Sequence, residues 1–479
     1  MNKHQIAALT ALGLALTNPA LAEEIRSTLD DQKSVAVTIY NENLALIKDQ
    51  RTITLGSGQT TLAFRDVSAW MRPETALLRS LNTPGKLSVI EQNFDFDLLT
   101  PQKLLEKYVG KTVGVVKTHP TTGAETVEQA QVLSASNGVV LKMGDHIETG
   151  VPGRIVYNDV PVNLRDRPTL VMSLNNGGAA QQDVELSYLS GGLSWKADYV
   201  AELNATDDKL DLSGWVTLTN TSGASYRNAK LQLVAGDVNQ VKEEMDFAQP
   251  IVAEMQAPAP AAKSRMAEES LLEYHLYTLD RPTTIAENQT KQVALLSAAQ
   301  VPVRKELVLN GNNYYYSSSY GDLGQKIKLG VFVEFENKES NKLGMPLPKG
   351  VIRVYKKDSS GNAQFVGEDR IDHTPKNEKI RLKLGEAFDV TADKKQTDFK
   401  RMPNPGKSTY LFESAYEITL KNAKKEAVTV TVQEPIPADW KILNSSHPYE
   451  KATSNTAVWK ITIPAEGKTT LTYRVQVKY

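Results

Sequence analysis

LSYLSGGLSWKADYVAELNATDDKLDLSGWVTLTNTSGASYRNAKLQLVAGDV, running from Leu186 to Val238, decides the fold class. Three runs of alternating residues are separated by clusters of turn formers, the pattern of an antiparallel β meander. Trp195, Tyr199 and Leu203 share one face of the first run, with Ala197 and Ala201 between them. Leu210, Leu212, Val216 and Leu218 share a face of the second, and Leu231, Leu233 and Ala235 a face of the third. Trp195 and Tyr199 therefore read as core residues. Trp215 alternates against the Val216/Leu218 face and reads as the outward-facing aromatic.

Working outward, the same period of two recurs along most of the chain. Ser34–Arg51 and Thr52–Val67 each read as a hairpin, and Leu87–Asp97 as a further extended run. Thr100 before Pro101, with Leu104, Leu105 and Tyr108 on one stripe, predicts a short helix over 101–108. Five short runs follow between Thr112 and Tyr157, a spacing that suggests a small barrel-like module. Beyond Pro346-Leu347-Pro348, seven short runs in about 130 residues suggest an immunoglobulin-like sandwich with Trp440 and Trp459 in its core. The fold expected is mainly β, with several antiparallel sandwich or barrel-like domains and few short helices. Its boundaries are a 23–98 N-terminal domain, a 99–160 module, a 161–345 central domain and a 346–479 sandwich. An Ala/Pro-rich excursion over 247–270 interrupts the central domain without periodicity.

The first residues bear on compartment. Lys3 and His4 precede an apolar segment from Ile6 to Leu16, and Ala20-Leu21-Ala22 ends it. That is the layout of a secretory signal peptide over 1–22, cleaved after Ala22. The segment is far short of the ~20 residues that span a bilayer, and no other run is long and apolar enough to do so. A periplasmic or otherwise extracytoplasmic location is expected, with no transmembrane segment after cleavage. The chain contains no cysteine, which excludes disulfides and thiolate chemistry and leaves stability to its cores. Fifty-five Lys and Arg against 56 Asp and Glu give a net charge of −1, so nothing steers the chain toward nucleic acid. The pairs Lys394-Lys395 and Lys424-Lys425 read as solvated edge and turn residues.

LSYLSGGLSWKADYVAEL, LSGWVTLTNTSGASYRNAKLQLVAGDV, YTLDRPTTIAENQTKQVALLSA and the later GVIRVYKKD, FVGEDRIDHTP and KLGEAFDV carry a family likeness. They resemble the bacterial envelope family catalogued as domain of unknown function 4139, to which the mucoidy inhibitor A-like proteins belong. The likeness runs from about Arg167 onward and implies an exported, mostly β protein. Mucoidy inhibitor-like members carry long coiled-coil segments, whereas this chain has no heptads and places the short-stranded module there.

Catalytic templates are missing. GxSxG, HExxH, Ser-x-x-Lys, GxGxxG and Walker-type loops do not occur, and no two histidines stand at metal-ligand spacing. No cofactor or metal is therefore expected. The best acid/base cluster is Glu368-Asp369-Arg370-Ile371-Asp372-His373, where Asp372 and His373 are the catalytic candidates; the plainer reading is a polar strand end before Pro375. Tyr314, Tyr315, Tyr316 and Tyr320 lie in an Asn/Ser/Gly-rich loop, where tyrosines bring contact area at low entropy cost. Against that stands a disordered hairpin tip of the same composition. The residues favour an exported protein that binds envelope proteins or glycans, with Tyr314, Tyr315, Tyr316, Tyr320 and Trp215 as its binding candidates. A hydrolase with a site assembled across domains is the rival, and a scaffold pairing through β edges is a third reading.

Overall fold

The computed structural model describes residues 24–161, 164–240, 266–403 and 410–478. The signal-peptide reading and most of the Ala/Pro-rich stretch fall outside the described residues. Two compact units result: one holds the residues up to Val37, Ala45–Gly192 and Thr221–Ala229, the other Thr38–Leu44, Leu193–Asn220 and Lys230 onward. The described residues are overwhelmingly strand, with one α-helix, Pro101–Lys107. Among them no helix is long and apolar enough to cross a membrane.

In the first unit, Gly58–Arg65 pairs with Ile25–Ser27 in parallel and with Thr169–Asn176 antiparallel, and Thr169–Asn176 in turn pairs with Leu87–Asp95. Gln181–Ser190 lies between Leu44–Thr54 and Leu77–Ser80. The expected Thr52–Val67 hairpin does not form, because Ile53 and Phe64 belong to different sheets. Arg51 spans those sheets. It is fully buried, its guanidinium donates to Asp49 Oδ2 at 2.8 Å, to the Ser27 carbonyl at 3.1 Å and to the Arg65 carbonyl at 2.8 Å, and it lies over the Phe64 ring.

The 99–160 module holds the expected helix and all five expected short strands. Thr100 accepts from the Lys103 amide as its cap, and Leu105 and Tyr108 pack on Val113, Val115, Val132 and Leu141. The sheet order is His146–Glu148, Val140–Met143, Glu125–Ser134, Thr112–Thr118, Arg154–Val156. It is an open sheet rather than a barrel: the two edge strands are three residues long and do not meet, and the helix covers the apolar face instead.

The meander of the second unit is only partly as read. Leu193–Leu203 and Lys209–Asn220 form its hairpin, with Trp195 opposite Leu218 and Tyr199 opposite Gly214. The third run, Tyr226–Ala235, leaves to pair with Tyr274–Leu279, and its place beside Lys209–Asn220 is taken by Gln289–Asn310. That strand is 22 residues long. Residues 266–270, read as the end of the excursion, belong to the strand Met266–Leu271, which pairs with Tyr274–Leu279. On the far side of the hairpin, Gly350–Lys357 adds in parallel to Leu193–Leu203. A Cβ at Gly350 would lie 2.2 Å from the Ala197 carbonyl oxygen, so only glycine admits this approach.

All seven C-terminal runs are strands, but the first two, Gly350–Lys357 and Ala363–Ile371, extend the central sheet. The C-terminal core is built by the remainder together with residues well before 346. Val390, Ala392, Tyr416, Ile418, Leu471, Tyr473 and Val475 come from Lys379–Pro403, Tyr410–Asn422 and Lys468–Lys478. Leu307, Leu309, Val430, Val432, Trp459 and Ile461 come from Gln289–Asn310, Val428–Pro435 and Thr456–Ile463. Trp440 and Trp459 are buried in this core as expected.

Candidate functional site

The tyrosine-rich loop leaves Asn310 and is shaped from its first residue. A Cβ at Gly311 would meet Glu434 Oε2 at 2.0 Å, so any larger residue there must displace the Glu434 carboxylate. Asn313–Tyr316 then makes one 3-10 turn. Successive residues of a turn of this kind point in different directions. Tyr315 and Tyr316 turn inward and are 7% and 0% exposed, whereas Tyr314 and Tyr320 remain 51% and 37% exposed.

The inward pair anchors the loop. The Tyr316 hydroxyl donates to Glu434 Oε2 at 2.8 Å and lies 3.0 Å from the Tyr473 hydroxyl. Both Glu434 oxygens receive Lys394 Nζ, at 2.6 and 2.7 Å, and Lys394 sits 4.4 Å from the Tyr315 ring centroid. Gln396 Nε2 donates to the carbonyls of Tyr315 and Ser318, and its Oε1 accepts from the Tyr320 amide at 2.6 Å. Burial raises the Tyr316 and Tyr473 hydroxyls well above the ordinary tyrosine range. Burial also lowers the Lys394 ammonium, outweighing the attraction of Glu434. The displayed pair is held as well: Tyr314 packs edge-on against Tyr315 at 4.7 Å and against Tyr320 at 5.9 Å. The loop is thus an ordered platform.

Lys394, Gln396, Tyr416, Glu434 and Tyr473 were not anticipated as site residues. The reading of Lys394-Lys395 as solvated fails for Lys394, which is 3% exposed; Lys395 is exposed and pairs with Glu417. Alternation carried the signal. Lys394 and Gln396 continue the inward series Val390, Ala392, and Glu434 continues Val430, Val432.

Trp215 lies half-buried on the outer face of the central sheet, opposite Asp198. Beside it a polar row crosses four strands. Gln292 donates to Thr217 Oγ1, Thr217 to Asp198 Oδ2 at 2.7 Å, and Arg353 to Asp198 Oδ1 at 3.1 Å. Trp195 and Tyr199 occupy the inner face, buried, with the Tyr199 hydroxyl donating to the Pro348 carbonyl.

The acid/base cluster is dispersed. Glu368 pairs with Arg353, Asp369 Oδ2 accepts from the Lys383 amide, and Asp372 is exposed, its carbonyl accepting from Thr374 Oγ1. His373 Nδ1 accepts from the Lys349 amide at 3.2 Å, and its Nε2 lies 3.3 Å from Asn41 Nδ2. Burial and the Lys349 charge lower the His373 pKa. Among the described residues no carboxylate bonds to this ring, so Asp372 and His373 do not form a general-base pair.

No curated protein matches the chain. A family model described as "Domain of unknown function (DUF4139)" matches residues 184–479, which takes in the whole central hairpin, the tyrosine platform and its anchors. Spanning more than half of the 479 residues, that match places the chain in the DUF4139 family.

Proposed function

We propose that this chain is an exported cell-envelope protein that acts by binding, and that Tyr314 and Tyr320 form its contact surface. One observation carries the reading: two exposed tyrosines stand on a turn whose neighbouring residues are locked into a core. Rigid aromatic side chains lose little entropy on contact, and a loop ordered in advance binds more tightly than one ordered by its partner. Export is supported by the basic, apolar and small-residue pattern up to Ala22. The occupant expected is an envelope protein or glycan chain, since a net charge of −1 favours no polyanion.

The test is a photo-cross-linking side chain placed at position 314 or 320 in the full chain, expressed with its leader. Adducts with one defined envelope protein or glycan, competed away by the unmodified chain, are the expected outcome. Cross-linking no stronger than from an exposed control position such as Phe388 would remove the reading.

A further inference from the structure

The ion pair beneath the platform occupies an unusual place. Lys394 and Glu434 stand at inward positions of strands that do not pair with each other, so the contact ties Lys379–Pro403 to Val428–Pro435 across the core. In an immunoglobulin sandwich a disulfide beside a core tryptophan makes such a tie. Here Trp459 lies 4.9 Å from the Tyr473 ring, and Tyr473 borders the pair. The chain has no cysteine to make a disulfide.

Two charges are held in a dry site, with the amine against both carboxylate oxygens at 2.6 and 2.7 Å and neither residue more than 3% exposed. Such a site disfavours the charged forms and favours any change that removes both charges together. From this geometry we infer that Lys394 and Glu434 condense to an intramolecular amide, a covalent bridge across the C-terminal sandwich. The inference is independent of the binding reading and fails separately from it.

The step balances within the pair. Lys394 passes one proton to Glu434, leaving a neutral amine and a carboxylic acid. A shift of the Lys394 side chain brings Nζ over the face of the carboxyl group, and its lone pair attacks Cδ. The Tyr316 hydroxyl, donating to Oε2, stabilises the oxyanion there, and the Tyr473 hydroxyl 3.0 Å away supports Tyr316. Nζ gives a second proton to Oε1, which leaves as water. One C–N bond forms, one C–O bond breaks, and no oxidant or co-reactant is needed. Burial supplies the nucleophile by lowering the lysine, and the fold supplies proximity.

The test is the mass of the purified full chain under denaturing conditions, followed by tryptic mapping. The wild type is expected to be lighter than its sequence by one water and to yield a branched peptide joining Lys394 to Glu434. Lys394→Met is expected to lack both. Tyr316→Phe, which keeps the ring, is expected to accumulate linear chain. A wild-type chain at full mass with separate linear peptides overturns the proposal, and needs no variant to fold. A water loss that persists in Lys394→Met overturns it equally.

Discussion

The Tyr416 hydroxyl donates to the main-chain carbonyl of Tyr315 at 2.6 Å, fixing the turn that displays Tyr314 from a strand of the sandwich. Tyr416 and Tyr315 are 101 residues apart in sequence, so the bond is purely tertiary. Tyr416→Phe leaves the ring packed on Tyr473 and removes only the hydroxyl. Stability should fall by about 0.5–1.5 kcal/mol, the net worth of one hydrogen bond, since Gln396 Nε2 still donates to that carbonyl. Urea unfolding measures it, and amide exchange at Tyr315 to Ser318 should quicken more than elsewhere in the sandwich.

Tyr314 and Tyr320 should behave oppositely. The double variant Tyr314→Ala/Tyr320→Ala should leave unfolding within about 0.5 kcal/mol of wild type, since both are surface residues. Affinity for the cross-linked partner should fall by about tenfold or more, as for central aromatic contacts. Unchanged affinity, read by titration calorimetry, would place the contact surface elsewhere.

Arg51 makes a different demand. It is 0% exposed with Asp49 as its charged partner, so Arg51→Met strands a buried carboxylate. The loss should be about 3–5 kcal/mol, and adding Asp49→Leu should restore part of it. Equilibrium unfolding of the single and double variants decides the point; equal losses would mean the two residues are not coupled.

Gly350 and Gly321 test close approach. Gly350→Ala brings a Cβ within 2.2 Å of the Ala197 carbonyl and should destabilise by about 1–3 kcal/mol by forcing the parallel strand away. Gly321, with nothing within 4 Å, should tolerate alanine and gain about 0.4–1 kcal/mol from a less flexible unfolded chain. Thermal unfolding of the two variants should move in opposite directions.

His373 predicts the sign of a pH effect. Its pKa lies below the ordinary 6.5 because of burial and Lys349, with Asp237 and Asp372 opposing and His275 adding to the depression. Between the folded and unfolded values the unfolded chain binds more protons, so stability rises with pH there. The contribution is complete above 6.5 and is lost as pH falls through the folded value. His373→Gln should flatten the acid side of a stability profile measured by urea unfolding. An unchanged slope would show that His373 does not titrate on unfolding.

The β class, most strand positions and the short capped helix are legible in the residues alone, although Met266–Leu271, Asp439–Ser445 and Glu450–Thr453 are not. These are written in local patterns: a period of two from Trp195 to Leu203, and Thr100-Pro101 before the stripe of Leu104, Leu105 and Tyr108. Alternation also put Trp195, Tyr199 and Trp459 inside. It could not say which strand pairs with which. Partner choice rests on residues far apart, so it takes the folded chain to show that Tyr226–Ala235 leaves the meander and that Gly350–Lys357 joins it in parallel. The tyrosine loop shows the same division. Its composition marked a recognition surface, but only packing separates Tyr314 and Tyr320, which are displayed, from Tyr315 and Tyr316, which hold the turn in place. Lys394 departs from the solvated expectation for a physical reason. A lysine is ordinarily solvated, and what makes it a core residue is Glu434, 40 positions away along the chain and 2.6 Å away in space.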